Sequence, residues 1–448
     1  MGLTRFQRQL SDSDIIDGDI GGPAQKIGHE LIEQTWFITI ADQNHEMFYY
    51  DKKAKIWREN GTDFIWKFVA TQYPALSNAM LNEVVHYIQG QTLLPREKFQ
   101  PPNGLLAFEN CCIDAIHNYA DEFDSSDLYI RNRFPVRVDK KATCPKFSKF
   151  LNQVLPDYED RCTLLETMSM VLIPHINFEK AVMFIGTSST NGKSTIFKLM
   201  YNLFGERNIV SISLQDLINN RFMGQKLDGK LLNIYADMND KKITDLDKFK
   251  LFVSGDSITV ERKNGHPYEI IPKAKHFFST NTLPEIQEDS NAVYRRFIII
   301  DFPVSFEGKE DFDLFDKLTT KEELEGIMWL LLRTATRLAR KRQFTFKQTP
   351  NEIRMRWKQQ SNAVFEMIEK SRGFIIKKSD GRVSRASFHT KYIEFCTSKH
   401  YTIRTPSTIT RQVEKLGYKS HKSNGVWYWL GLDIPKEITE DNNQKELF

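Results

Sequence analysis

The chain has 448 residues, 40% of them hydrophobic and 27% charged, enough for roughly two to four domains with apolar cores. No apolar run reaches the roughly 18 residues of a membrane span, and no basic-then-apolar signal segment opens the chain. The five cysteines (Cys111, Cys112, Cys144, Cys162, Cys396) form no Cys-x-x-Cys pair, which argues against a structural zinc site and for a reducing intracellular setting. The net charge of +4 hides an asymmetry: residues 340–425 hold 20 Lys/Arg against 6 Asp/Glu, the remainder 42 against 52. A basic block in a folded C-terminal region suits a polyanion, above all nucleic acid.

In chain order, residues 1–22 read as a flexible arm with acidic residues at Asp12, Asp14, Asp17 and Asp19. Residues 23–100 read as an α+β region of unknown role, with a hairpin formed by 47–50 and 55–58. Residues 101–170 read as helical, with Phe147, Phe150 and Leu151 at core spacing. An α/β core is expected over 171–345: strands at 181–185, 230–236, 276–280 and 297–302, a hairpin over 257–271, and a last helix over 311–341. A linker at 346–360 follows. Residues 361–435 then read helix, helix, helix, hairpin, before a polar tail at 436–448.

Residues 182–195 carry the chemistry. A short apolar strand runs into the small-residue loop Gly186, Thr187, Ser188, Ser189, Thr190, Asn191, and Gly192-Lys193-Ser194-Thr195 opens a helical pattern. This builds a phosphate-binding loop, because backbone N–H groups and the dipole of a helix N-terminus attract an anion. Lys193 would reach the β- and γ-phosphates, and the Ser194 hydroxyl would ligate Mg²⁺. Five residues separate Gly186 from Gly192, one more than the usual spacing. A nucleotide hydrolase also needs an acid on a neighbouring strand. The apolar run 231–236 ends in Asp237, which would hold Mg²⁺ and help polarise water; the residues that follow leave the general base open. Strand 275–280 ends in Asn281, placed to orient that water. Lys193, Asp237 and Asn281 stand at successive intervals of 44 residues. Arg295 and Arg296 precede another apolar strand and are candidates for an arginine finger, Arg296 favoured. Between the strands, Asn264-Gly265 predicts a type I′ turn whose tip carries Arg262, Lys263 and His266.

With these elements in this order, the chain resembles superfamily 3 helicases, and most the C-terminal helicase part of the phage/plasmid and poxvirus-type primase–helicases. The resemblance spans about residues 100–435. It is carried by residues 107–114, Cys144-Pro145 with Phe147 and Phe150-Leu151, residues 191–195, Gly255-Asp256, Glu261-Arg262-Lys263, Ser279-Thr280-Asn281 with Pro284, and Arg295-Arg296-Phe297. It implies an α/β, AAA+-like P-loop ATPase core forming a hexameric ring, fed by ATP and Mg²⁺, that translocates on single-stranded DNA. ATP would lie between subunits, with Arg296 and Lys180 reaching a neighbour's nucleotide and the basic hairpin gripping the strand.

Residues 361–435 read as a winged helix, with Thr405-Pro406 starting a third helix that carries Arg411, Gln412 and Lys415, and with Lys419 and Lys422 on the wing. Trp427 and Trp429 read as core. The expected function is a replicative DNA helicase of a virus, phage or plasmid, working in the host cytoplasm without a membrane. A primase or polymerase is a candidate partner, and no priming activity is expected from this chain. Two alternatives stand beside it: an origin-binding initiator or scaffold that uses ATP only to assemble, and a double-stranded DNA translocase.

Overall fold

The computed structural model describes residues 22–435 apart from 103, 115–118, 122–124, 187–189, 240–242, 245, 282, 289, 362, 370, 372, 400 and 402. The arm expected at 1–22, save Gly22, and the tail at 436–448 lie outside the described residues. Among the described residues, no helix is long and apolar enough to cross a membrane.

The N-terminal region builds a small sheet against helices. β1 (Phe37–Ile40), β2 (Met47–Asp51), β3 (Ile56–Arg58) and β4 (Leu93–Leu94) lie in the order β3-β2-β1-β4. The expected hairpin forms, with Tyr50 opposite Trp57. Helices Pro23–Gln34, Gly61–Gln72 and Asn78–Gln91 bury Leu31, Ile65, Val69, Val84 and Ile88 between them and the sheet.

The next stretch departs from the helical expectation. β5 (Leu105–Ala107), β6 (Cys112–Asp114) and β7 (Tyr119–Asp121) form an antiparallel sheet, and α-helix begins only at Pro145. The apolar runs here are too short to bury a helical face but long enough for strands. Asn110 sits in the turn between β5 and β6 and bonds both the N–H and the carbonyl of Val138. Helices Pro145–Val154 and Tyr158–Ser169 follow. Buried Glu323 accepts hydrogen bonds from the backbone N–H groups of Lys146 and Phe147, so a carboxylate neutralises the free donors at that helix start.

Seven strands follow: β8 (Ala181–Ile185), β9 (Ile209–Val210), β10 (Leu232–Tyr235), β11 (Ile258–Val260), β12 (Tyr268–Ile270), β13 (Lys275–Thr280) and β14 (Phe297–Asp301). β11 and β12 form the inserted hairpin. The other five make an all-parallel sheet ordered β14-β8-β13-β10-β9. Both faces are covered, as a parallel sheet requires. Along β8, Val182 and Phe184 join one apolar layer with the Lys193–Phe204 and Lys321–Lys341 helices. Ala181, Met183 and Ile185 join the opposite layer with Leu217, Phe249 and Trp357. The strand period of two thus sorts one strand into two cores. The single helix expected at 311–341 is two, Leu314–Leu318 and Lys321–Lys341, because Thr320 caps the second.

The expected linker at 346–360 is instead a packed helix, Pro350–Gln360. Thr349 and Glu352 form a reciprocal capping box with Pro350 in the first turn. Trp357 is buried, packs on Phe297 with ring centres 4.6 Å apart and donates its indole N–H to the Pro284 carbonyl. Polar composition elsewhere disguises a helix anchored by Ile353 and Trp357.

The C-terminal region contains helices Ala363–Glu369, Arg385–Lys399 and Pro406–Lys415, close to the expected three. Its sheet has three strands, β15 (Ile376–Ser384), β16 (Ser420–Ser423) and β17 (Val426–Asp433), ordered β15-β17-β16. β15 is an addition to the expected hairpin. Its polar run breaks register between Lys377 and Arg382, which erases the alternation that marks a strand. Trp429 is buried in this unit's core, but Trp427, expected beside it there, is 44% exposed.

Candidate nucleotide site and nucleic-acid contacts

β8 delivers the chain to Gly186 and the loop, and the helix starts at Lys193. Thr187, Ser188 and Ser189 lie outside the described residues. Gly192 caps the helix at φ +91°, where a Cβ would stand 2.6 Å from Val154 Cγ1. Only glycine suits that backbone. At Gly186 a Cβ would stand 2.1 Å from Asn191 Nδ2 and 2.9 Å from Lys193 Nζ, so the missing side chain there leaves room for the amide and the ammonium.

Lys193 is buried. Its ammonium donates to the Gly186 carbonyl at 2.9 Å and to Asn281 Oδ1 at 3.2 Å. Burial pushes its pKa down to about 8, an effect the nearby Asp237 carboxylate offsets in part. Asn281 leaves the end of β13, and Asp237 follows β10 by two residues in the left-handed region at φ +58°. Two bonds hold that turn: Met238 N–H to the Ser279 carbonyl at 2.7 Å and Thr280 Oγ1 to the Met238 carbonyl at 3.0 Å. Three residues at successive intervals of 44 positions thus meet at the C-terminal ends of three adjacent strands, where ligands sit in open parallel sheets.

Ser194 stands exposed in the first helical turn, and Asp237 is exposed as well; Thr190 and Thr195 are half-buried and Asn191 is buried. A hydroxyl and one carboxylate are hard oxygen donors, the set that holds Mg²⁺ together with a nucleotide's phosphates. No group of three or more His, Cys, Asp or Glu suited to a metal occurs among the described residues.

Arg295 and Arg296 lie at the opposite, N-terminal edge of the sheet, just before β14. The length of a strand separates the edges, about 16 Å, so neither arginine belongs to its own chain's Lys193 site. The two differ. Arg296, favoured from sequence, is 8% exposed and its guanidinium donates to the Ala292 carbonyl at 2.5 Å. The Arg295 side chain is 50% exposed and pairs with Glu179 at 2.7 Å. Lys180 is half-buried beside them, donating to the Arg295 carbonyl; burial and then the Arg295 charge lower its pKa.

The hairpin does not close with the expected two-residue turn. The ladder ends at Val260 opposite Tyr268, leaving 261–267 as a longer loop, and of the pair only Asn264 has positive φ. That loop docks on the N-terminal region. Asn44 bonds both the N–H and the carbonyl of His266, at 2.9 and 3.0 Å. Arg262 pairs with Glu46 at 2.7 Å and lies over the Tyr268 ring. Burial opposes the Arg262 charge, yet Glu46 holds its pKa above the ordinary value. Arg96 also lies over the Tyr268 ring, 4.6 Å from its centre, and pairs with Asp42, Glu46 and Asp228. Lys263 and His266 are exposed. Nothing in the sequence signals this clamp, whose halves Asn44 and His266 are 222 positions apart.

In the C-terminal unit, Thr405 caps the Pro406–Lys415 helix as expected. Arg411, Lys419 and Lys422 are exposed, Gln412 is half-buried, and the Lys415 side chain lies outside the described residues. Sequence reading misses Arg385, whose guanidinium lies 4.9 Å from the Trp427 ring centre and 4.6 Å from that of Trp429. The cation covers Trp427 and accounts for an indole outside the core.

A family described as of unknown function (DUF5906) matches residues 184–296, the stretch from β8 to the second arginine. A protein of Acanthamoeba polyphaga mimivirus named "Putative helicase L207/L206" is 24% identical over 218 residues, 46% of this chain and 22% of that protein. The chain therefore spans under a quarter of that relative's length. Among solved structures, the apo structure of the NrS-1 C terminal region (305-718) is similar over 90% of this chain and 98% of its own, at TM-score 0.48 and 12% identity. The A form apo structure of the same region gives 0.45 and 11%.

Proposed function

We propose that the chain is an ATP-dependent replicative DNA helicase of a virus, phage or plasmid, acting as a ring with ATP hydrolysed between subunits. The observation that carries this reading is the meeting of Lys193, Asn281 and Asp237 at one sheet edge. Lys193 would neutralise the β- and γ-phosphates, Ser194 and Asp237 would hold Mg²⁺, and Asn281 would orient the attacking water. The strand order fits an AAA+-type P-loop core, and the mimivirus relative bears a helicase name. Arg295, the exposed arginine on the far edge, would act on a neighbour's nucleotide, with Arg296 as its buried support. Lys263 and His266 would meet the single strand in the pore. The C-terminal unit, helix–strand–helix–helix–strand–strand, fits a winged helix that would hold duplex through Arg411, Gln412, Lys415, Lys419 and Lys422.

A forked-substrate unwinding assay tests this. Lys193→Ala should abolish ATPase and unwinding, and Lys263→Ala with His266→Ala should spare basal ATPase while unwinding fails. Full unwinding by the hairpin variant would overturn the pore assignment. One observation favours a second reading, the nucleotide-switched initiator: the hairpin tip is docked rather than free. That reading expects tight duplex binding and ATP-dependent assembly with no strand separation on any fork.

A further inference from the structure

A groove of about 710 Å³ lies between the N-terminal region and the start of β9 and β10, the sheet edge away from Lys193. One wall is the helix Gly61–Gln72. Its Ile65 and Val69 are buried in the core of the N-terminal region. Asp63, Lys67 and Thr71 recur every four residues on another face, flanked by Phe64 and Phe68, and line the groove. The opposite wall comes from Asn132, Arg207, Gly229 and Lys230. None of these residues belongs to the Lys193 site, the hairpin loop or the C-terminal unit.

The lining carries five cations against two acids. Two of the cations are engaged: Arg131 by Glu59 and Asp228, and Arg58 by Asp51. The Arg58 side chain is 17% exposed, and its Nη1 is buried with no acceptor among the described residues. The other three have no carboxylate partner among the described residues. Lys67 and Arg207 are exposed, and half-buried Lys230 donates to the Arg207 carbonyl at 2.8 Å. Of the acids, Glu59 is taken by Arg131 and only exposed Asp63 is uncommitted. Uncommitted positive charge thus stands on both walls. Facing cations repel one another, and a polyanion between them turns that cost into attraction. Tyr49, Phe64 and Phe68, each half-buried, add apolar surface to the lining, and Asn60 and Gln72 add exposed amides. Cations with partly open aromatic side chains suit the phosphates and the bases of one strand. The volume is that of a small-molecule site and admits a few nucleotides, not a duplex.

We propose that this groove holds a short stretch of single-stranded nucleic acid, its phosphates on Lys67, Arg207 and Lys230 and its bases and sugars against the half-buried aromatic side chains. The groove gives residues 23–100 a task, to hold the strand at a place apart from the hairpin loop. The choice of a nucleic-acid strand rests on the helicase reading; the charge and the shape of the groove do not. Contacts made chiefly to phosphates carry little sequence preference.

The test uses the full chain and a fluorescent oligothymidylate, followed by anisotropy over a series of salt concentrations. The same strand carrying photoreactive thiothymidine is cross-linked, and the attached peptides are mapped by mass spectrometry. Saturable binding is expected, with cross-links within residues 58–72. Lys67→Gln combined with Arg207→Gln, both at exposed positions, should leave the thermal midpoint unchanged. It should weaken strand binding about tenfold at low salt and lower the log–log salt slope by about 1.4, two phosphate contacts of about 0.7 each. Affinity for a blunt duplex should not change; an equal loss there would overturn the single-strand assignment. Absence of saturable strand binding would overturn the proposal. Cross-links confined to the hairpin loop or the C-terminal unit, or an unchanged slope in the double variant, would overturn the groove and leave the helicase reading standing. Cross-links in the groove of a chain that never unwinds a fork would support the groove and count against that reading.

Discussion

At the scale of single residues, the account turns on Lys193. An ordinary lysine titrates at about 10.5, and burial brings this one to about 8. A bound triphosphate would place negative charge against the ammonium and return its pKa upward. Binding must then take up protons between about pH 8 and 10, and apparent ATP affinity must fall as pH rises through that window. Calorimetry at pH about 8.5 in buffers of different ionisation enthalpy checks this: net uptake is expected for the native chain, and none for Lys193→Arg, whose guanidinium stays charged. Lys193, Asp237 and Asn281 are legible in sequence because each follows an apolar run, and strand ends in a parallel sheet converge. The contrast between Arg296 and Arg295 is not legible. Which of two adjacent arginines is buried depends on the helical turn Asn291–Tyr294 and on Glu179, neither of which leaves a pattern.

At the scale of elements, strands with unbroken apolar runs are readable to within a residue or two, and elements anchored by one or two side chains are not. The Pro350–Gln360 helix shows why. It carries Arg354, Arg356 and Lys358 against a lone acid, Glu352. Charge hides the helix from a hydrophobic-period reading, yet Ile353 and Trp357 fix it to the core. Trp357→Ala should therefore destabilise the core by about 3–5 kcal/mol, measured by denaturant unfolding. A loss under about 1 kcal/mol would mean that the segment behaves as a linker after all. The hairpin gives the second prediction at this scale. Glu46 holds Arg262 and would compete with nucleic acid for it. Glu46→Gln should then raise single-strand affinity and steepen its salt dependence by about 0.7 in log–log slope, the signature of one added phosphate contact. An unchanged slope would show that Arg262 never meets a phosphate.

At the scale of the whole molecule, the two edges of the central sheet separate the groups a shared site would need. One edge holds Lys193, Asp237 and Asn281, and the other holds Arg295 and Lys180, about 16 Å away. In the proposed ring a chain would not close its own site; copies would meet head to tail, and a heterologous contact of that kind can close into a ring. The measurement that tests this most directly mixes two inactive variants, Lys193→Ala and Arg295→Ala, and follows ATP hydrolysis. Each alone should be nearly silent. In an equal mixture roughly a quarter of the interfaces pair an intact cradle with an intact arginine, so hydrolysis should return to about that fraction of the native rate. A mixture as silent as its parts, or an Arg295→Ala chain that turns over ATP at the native rate, would contradict the shared site.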